Sequence, residues 1–288
     1  MRDLTLDNIT DVVCKSIENT EDARLKQIVE AFIRKSHELV EELELTHDEW
    51  EAAVKFLLDT GKVSNDQRNE FILLSDIMGI TSLVDILAST KAPEASERSV
   101  LGPFYLPNAP VLEFGGDLIK DNEGPRMVVQ GRVLSTDGTP LPGALVDVWQ
   151  NAANGLYSNV DPDQSDNNLR CRTYTSENGE YCYSSIIPFA YEVPDDGTGG
   201  TYMQVTGRHC WRPAHIHARV SAKGYEELVT EVFNSLDQYI DEDATFGVRR
   251  SLVLPFNREP SDDEKRRFSH IKEPFHMVDF DFILKPLE

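Results

Sequence analysis

Basic residues are scarce. The 28 Lys and Arg stand against 50 Asp and Glu, a formal net charge of −22 over 288 residues. Such a chain repels phosphate backbones, which excludes nucleic acid as a partner. No apolar run approaches the ~20 residues of a membrane-spanning helix. The opening MRDLTLDNITDVV has no apolar h-region and carries acids, so it does not read as an export signal. The four cysteines, Cys14, Cys171, Cys182 and Cys210, show no CxxC spacing. They read as reduced thiols, and the chain as cytoplasmic. Internal repeats, low-complexity tracts and the HExxH signature of zinc hydrolases are also missing. The acidic 161–166 stretch reads as a solvated loop. What is present is a 40% hydrophobic fraction, enough for real cores in one large or two ordinary domains.

Two textures follow one another. Over 21–44, Leu25, Ile28, Val29, Phe32, Leu39, Val40 and Leu43 recur mostly at spacings of three and four, which predicts an amphipathic helix. Thr46-x-x-Glu49 is a capping box that opens the next helix. Ser64 opens a further candidate, with Asn65 and Asp66 in its first turn. Helical pattern then runs over 69–89 as a single helix or a kinked pair, with Gly79 inside it. Pro93, Pro103, Pro107 and Pro110, with Gly102, Gly115 and Gly116, mark a connecting segment. Beyond it lie short strand candidates at 127–133, 144–149, 170–175, 180–186, 215–220, 228–233, 251–254 and 276–284. Asp137-Gly138 and Asn178-Gly179 are hairpin-type turn signals. The fold class is therefore α+β, a helical N-terminal domain with its linker (1–105) followed by an all-β sandwich (106–288).

Arg212-Pro213-Ala214-His215-Ile216-His217 begins an apolar, β-branched run that ends at Val220. Strand side chains alternate, so His215 and His217 point to one side, about 6–7 Å apart. Two imidazoles on one face suit a metal that takes nitrogen ligands. Pro213 puts a strand start or a sheet edge just before the pair. Arg212 stands beside it as a permanent positive charge. A solvent-facing pair has the same pattern, because alternation does not say which face is wet. A carboxylate would complete a non-haem Fe(II) site, but 50 acids offer no unique companion. His37, His47, His209, His270 and His276 read as surface or packing residues. Tyrosine is another ligand, since a trivalent metal strongly stabilises a phenolate. Periodicity does not choose among the nine tyrosines. Tyr181 and Tyr183, on one strand, read as packing.

Three linked segments do choose. Trp149-Gln150-Asn151-Ala152-Ala153-Asn154-Gly155-Leu156-Tyr157 resembles the W-Q-x-x-x-x-G-x-Y motif of the intradiol ring-cleavage dioxygenases. Arg212 to His217 matches that family's R-P-x-H-I-H. Between them, Tyr191-Glu192-Val193-Pro194-Asp195-Asp196-Gly197 resembles its Y-x-x-P-x-D-G loop. The order Tyr, Tyr, His, His is kept, with separations of 34, 24 and 2 residues. The resemblance extends through the helical half, as in the catechol and hydroxyquinol branch.

That resemblance implies one ferric ion per chain, held by Tyr157, Tyr191, His215 and His217. Tyr191 resembles the axial tyrosine that leaves the metal when substrate binds, and its phenolate can take a diol proton. Arg212 resembles the arginine that contacts the ring near the attacked carbon and stabilises negative charge there. The pocket positions resemble Leu73, Asp76, Val100, Leu101, Gly102, Pro103, Phe104, Val193, Pro194 and Thr245. An acid at Asp76 can accept a hydrogen bond from an extra ring hydroxyl, whereas a plain catechol leaves it unpaired. The L-G-P-F wording resembles the hydroxyquinol branch. The implied reaction inserts both atoms of O2 into benzene-1,2,4-triol, giving 3-hydroxy-cis,cis-muconate, which tautomerises to maleylacetate. Other readings are a catechol or chlorocatechol 1,2-dioxygenase, a non-catalytic transthyretin-like β-sandwich binding module, and a zinc hydrolase. Glu231 departs from the glutamine of catechol-branch members, and a carboxylate there can pair with Arg212. The resemblance also implies a homodimer through the N-terminal helices, with a lipid in the interface of some members. Burial within one chain explains the 21–44 stripe equally well.

Overall fold

The computed structural model describes residues 3–65, 68–121 and 123–287. By contacts the chain divides into two compact units, Met1–Leu58 and Asp59–Glu288. The helices are α1 (Ile9–Ser16), α2 (Ala23–Glu42), α3 (His47–Val63), α4 (Glu70–Ile77), α5 (Ile80–Ser89), α6 (Thr198–Val205) and α7 (Asp262–Arg267). The strands are β1 (Arg126–Ser135), β2 (Leu145–Trp149), β3 (Arg170–Tyr174), β4 (Glu180–Ile186), β5 (Tyr191–Glu192), β6 (Trp211–Arg212), β7 (His215–Ser221), β8 (Leu228–Asn234), β9 (Val253–Leu254), β10 (Phe275–Asp279) and β11 (Phe282–Leu284).

In the first unit, Asp22 caps α2 by accepting from the backbone N of Arg24 (2.8 Å) and Leu25 (2.9 Å). The Thr46–Glu49 box forms: Thr46 N donates to Glu49 Oε2 (2.8 Å) and Glu49 N to Thr46 Oγ1 (3.3 Å). No residue of α2 is buried. Its stripe, Leu25, Ile28, Phe32, Leu39, Val40 and Leu43, is exposed, so burial within one chain does not account for it.

Ser64 does not open a helix. Its backbone N and its hydroxyl both donate to Thr60 O, which closes α3 instead. Asp66 lies outside the described residues. The cap of α4 is Asn69, whose Oδ1 accepts from Ile72 N (3.2 Å). The 69–89 pattern is the kinked pair: α4 and α5 meet at 71°, with Gly79 at φ +72° between them. An L side chain adopts that left-handed conformation only at a cost. Among the described residues no single helix is long and apolar enough to cross a membrane, although this bent pair would pass by length and composition.

The β part is a sandwich. One sheet centres on β1, with β4 antiparallel on one side and β10 and β11 parallel on the other. The other sheet runs β3-β2-β7-β8-β9, and β5 and β6 pair separately. Its core gathers Met127, Val129, Tyr181 and Tyr183 from one sheet and Val146, Val148, Ile216, Ala218 and Val220 from the other. Both Asx-Gly turns form, with Gly138 N donating to Ser135 O and Gly179 N to Ser176 O, each at 2.9 Å. Each one nevertheless joins strands of different sheets, β1 to β2 and β3 to β4. Such corner turns are how a sandwich passes the chain between layers. The 251–254 candidate is a 3-10 turn followed by the two-residue β9, and the 276–284 candidate is broken into β10 and β11.

The alternation on β7 settles which way the histidines face. Ile216, Ala218 and Val220 enter the sandwich core, so His215 and His217 lie on the outer face of that sheet. That face is dry. His215 is 2% and His217 1% exposed, beside a second apolar cluster of Phe104, Trp149, Tyr157 and Tyr191. A solvent-facing His pair is excluded.

Candidate metal centre

Four segments meet on this face. β2 delivers Trp149 opposite His217, and the two rings stack 4.8 Å apart at 5°. The next two residues explain the rest of the motif. Gln150 Nε2 donates to Ile186 O (2.9 Å), and its Oε1 accepts from Ser185 Oγ (3.0 Å). Asn151 Nδ2 donates to Phe189 O (2.8 Å), and Phe189 N donates back to Asn151 Oδ1 (3.1 Å). These bonds stitch the end of β4 and the segment leading to Tyr191 against the segment leading to Tyr157. Gly155 has φ +81°, and a Cβ there would stand 3.2 Å from the Tyr191 Cβ. Only glycine meets both demands easily. Beyond Tyr157 the 161–166 stretch is a loop, but Asp161 is buried. It accepts from Asn154 Nδ2 (2.7 Å) and Gln164 Nε2 (2.9 Å), so it organises the loop from inside.

The polar atoms converge. His215 Nδ1 lies 2.7 Å from Pro213 O. A carbonyl only accepts, so Nδ1 carries the proton and Nε2 keeps its lone pair. That Nε2 lies 3.2 Å from His217 Nε2, 3.4 Å from the Tyr157 hydroxyl and 3.2 Å from Arg212 Nη1. The Tyr191 ring centre is 5.5 Å from that of Tyr157 and 5.6 Å from that of His215. Burial, then Arg212, lowers the His215 pKa to about 4. Burial, then His215, holds His217 well below the ordinary imidazole range. Both imidazoles are therefore neutral at pH 7. Burial raises both phenols, opposed by Arg212. A second buried guanidinium, Arg170, lies 5.8 Å from the Tyr157 ring centre.

Arg212 is held between two buried carboxylates. Its Nε and Nη2 donate to Asp243 Oδ1 (2.9 Å) and Oδ2 (3.1 Å). Its Nη1 and Nη2 donate to Glu231 Oε1 (2.8 Å) and Oε2 (3.1 Å). Burial is the largest single influence and would raise both acids, but Arg212, with His215 and for Glu231 also Ser99, holds each below its usual range. Ser99 Oγ also donates to Glu231 Oε2 (2.6 Å). Glu231 Oε1 is 3.4 Å from His215 Nε2 and 3.3 Å from His217 Nδ1, although Nδ1 has no partner of hydrogen-bond geometry.

These donors fit a cation. The lone pair of His215 Nε2 faces a second imidazole nitrogen and a phenol oxygen in a buried space. His215, His217 and Glu231 also bring ligand atoms within 4.8 Å of one another. Two carboxylates around one guanidinium leave a net negative charge, which is costly to bury unless a cation lies close. Neutral nitrogen with anionic oxygen suits a hard or borderline metal.

The expected pocket residues divide. Phe104, Val193 and Pro194 line a cavity of about 540 Å³ with Tyr157, Tyr191 and Trp211. Leu73, Asp76, Val100, Gly102 and Thr245 are buried but do not line it, and Leu101 and Pro103 are half-buried. A larger cavity of about 670 Å³, along 207–209 and 240–248, includes none of the four expected ligands. We take the smaller as the relevant one because two phenols open into it. Asp76 is 1% exposed, so it is not a surface acid of α4. Burial raises its pKa to about 7, opposed by Thr81 and Arg212. Tyr181 and Tyr183 are core residues away from the centre, as expected. The sequence reading missed Asp243 and Ser99. Asp243 sits in the acid-rich run 237–243, which gives no local sign that one member turns inward.

Comparison with known proteins decides the family. A "Catechol dioxygenase N terminus" model matches residues 22–96, and a "Dioxygenase" model matches 100–286. The chain belongs to the intradiol ring-cleavage dioxygenases. It is 41% identical to a hydroxyquinol 1,2-dioxygenase of Rhizobium sp. (strain MTP-10005), over 95% of this chain and 93% of that one. It is 37% identical to a 6-chlorohydroxyquinol 1,2-dioxygenase of Cupriavidus pinatubonensis, with 99% of each chain covered. The solved hydroxyquinol 1,2-dioxygenase of Pseudomonas putida DLL-E4 superposes with a TM-score of 0.86 at 37% identity, over 98% of this chain and 99% of that one. Membership in this family of non-haem iron oxidoreductases sets aside the transthyretin-like binding module and the zinc hydrolase.

Proposed function

We propose that this dioxygenase opens hydroxyquinol, benzene-1,2,4-triol, between its adjacent hydroxyls to give 3-hydroxy-cis,cis-muconate and so maleylacetate. One Fe(III) per chain is held by Tyr157, Tyr191, His215 and His217. The observation that carries the ligand set is the convergence of Tyr157, His215 and His217 on one buried point, with Tyr191 edge-on beside it. Glu231 also stands close enough to ligate. Its oxygens are already taken by Arg212 and Ser99, so we place it outside the ligand set.

Ferric iron supplies Lewis acidity that favours the deprotonated diol and makes its ring reactive toward O2. The chain's own groups do the rest. Tyr191 takes one diol proton on its phenol oxygen. Arg212 presents an N–H to negative charge that develops on the ring. Phe104, Val193 and Pro194 give the ring an apolar wall, and the buried or half-buried Leu73, Val100, Leu101, Gly102, Pro103 and Thr245 are proposed as further substrate-binding residues. Asp76 is proposed to favour the triol over catechol: it does not line the cavity, but neither oxygen of its buried carboxyl has a partner of full hydrogen-bond geometry, Thr81 being a weak one. A third ring hydroxyl supplies what is missing, and catechol does not. We further propose a cytoplasmic homodimer, with 1–105 as the dimerising and pocket-lining part and a lipid in the interface.

Metal analysis with a visible spectrum tests this reading. The purified protein is expected to carry about one iron per chain and a reddish tyrosinate-to-ferric band. Its rate on hydroxyquinol should exceed that on catechol and chlorocatechol. A colourless preparation that iron does not reconstitute would falsify the site; a clear preference for catechol would overturn the substrate.

A further inference from the structure

Arg212 has five N–H donors. Four point at carboxylate oxygens, two at Asp243 and two at Glu231. The remaining one is on Nη1, the nitrogen 3.2 Å from His215 Nε2. The guanidinium is therefore gripped along two edges, and its last hydrogen faces the metal centre. We infer that Asp243 is a positioning residue for the ring-opening reaction: it fixes the plane of Arg212 so that this single N–H is aimed at the site. The inference rests on the reading of the site given above.

Asp243 is built for the task. Its two oxygens also accept from Thr245 N (3.2 Å), Thr245 Oγ1 (3.1 and 3.2 Å) and Gly247 N (2.9 Å). Every donor around it is an N–H or O–H, so only an ionised carboxylate satisfies them all. An asparagine would turn an NH2 toward donors in either flip, because each Asp243 oxygen faces an Arg212 nitrogen and a backbone N–H. Gly247 closes the bracket from the other side. A Cβ there would stand 2.7 Å from Glu231 Oε2, 2.9 Å from Arg212 Nη2 and 3.1 Å from Asp243 Oδ2. Asp243 touches no expected iron ligand; of its partners Arg212, Thr245 and Gly247, Arg212 is the one that carries charge to the site. When His215 Nε2 gives its lone pair to a metal, Arg212 loses that acceptor, and the aimed N–H is free for the substrate.

Two variants of the full iron-loaded protein test this, Asp243→Asn and Gly247→Ala. The second removes no hydrogen-bonding group and needs no left-handed backbone, but its Cβ would press on Glu231 and Arg212 before Asp243, so it tests the bracket as a whole, and the hydrogen-exchange measurement decides the matter if the first does not fold. In both, iron per chain and the anaerobic dissociation constant of catechol, read from the visible band, should stay within about twofold of the parent. By contrast, kcat should fall by at least about tenfold, the signature of a contact made in the transition state. A parental kcat would overturn the inference. So would a loss proportional to lost iron, or a parallel rise in the dissociation constant, since those mark a structural or ground-state role. A third measurement needs no metal: hydrogen exchange of the Arg212 Nε–H by NMR in metal-free protein. It should be slow in the parent and at least about tenfold faster in Asp243→Asn. Fast exchange in the parent would sink the bracket whether or not the site binds iron, whereas an iron-free parent with slow exchange would sink only the reading of the site.

Discussion

Asp76 is a carboxyl whose folded environment favours its protonated form, with a pKa near 7 against an ordinary 3.8. The sign of its linkage follows. Its stabilising contribution is complete below about pH 4, and it is lost as pH rises through about 7. Asp76→Asn should therefore flatten the decline in unfolding temperature over that window, measured calorimetrically on iron-loaded protein. The same variant should lower the hydroxyquinol-to-catechol rate ratio by about tenfold, the worth of one buried hydrogen bond. An unchanged ratio would remove Asp76 as the selector. Residues of this kind divide sharply in how readable they are. Tyr157, Tyr191, His215 and His217 were picked out by the resemblance of three linked motifs to those of the family, and the two tyrosines by nothing else. Asp243 and Glu231 are two among 50 acids. Only a contact thirty-one residues away, Asp243 with Arg212, sets the former apart.

At the level of elements, alternation placed both histidines of β7 on one face and left open whether that face was wet. It could not have done more. The cover comes from Phe104, Trp149, Tyr157 and Tyr191, which are remote in sequence. The Asx-Gly turns were legible as turns for a local reason, their glycine φ of +83° and +73°. Their partners were not, because sheet membership depends on where the next strand lands. The placement of α6 was equally hidden. Glu70, fully buried, accepts from Gly199 N (2.8 Å) at the start of α6 and from Arg68 Nε (2.8 Å). A Cβ at Gly197 would stand 2.3 Å from Glu70 Oε1, so the glycine leaves room for the carboxylate. Its charge also suits a helix N-terminus. Glu70→Ala should cost about 1–3 kcal/mol in denaturant unfolding, the price of an unsatisfied buried donor. Arg68 keeps Asp196 as a second partner, which limits the loss. A change below about 0.5 kcal/mol, the range of an ordinary surface substitution, would mean that the cap contributes nothing.

For the whole molecule, the helical start and β-rich remainder were readable from the switch of hydrophobic period, and the deficit of basic residues from counting. The state of association was not. The stripe on α2, with Phe32 72% exposed, is more apolar surface than isolated exposed residues account for. Sedimentation of the purified protein should give a dimer near twice 32.5 kDa, and Phe32→Glu should shift it toward monomer. A parent that stays monomeric at micromolar concentration would end the dimer proposal. One further consequence concerns the metal-free protein. The bonds that hold the two tyrosine segments together are made by Gln150, Asn151 and the backbone, not by the groups that would bind iron. Metal-free protein is therefore expected to keep the two tyrosine segments joined, and removal of the ion to empty the site with this frame still in place.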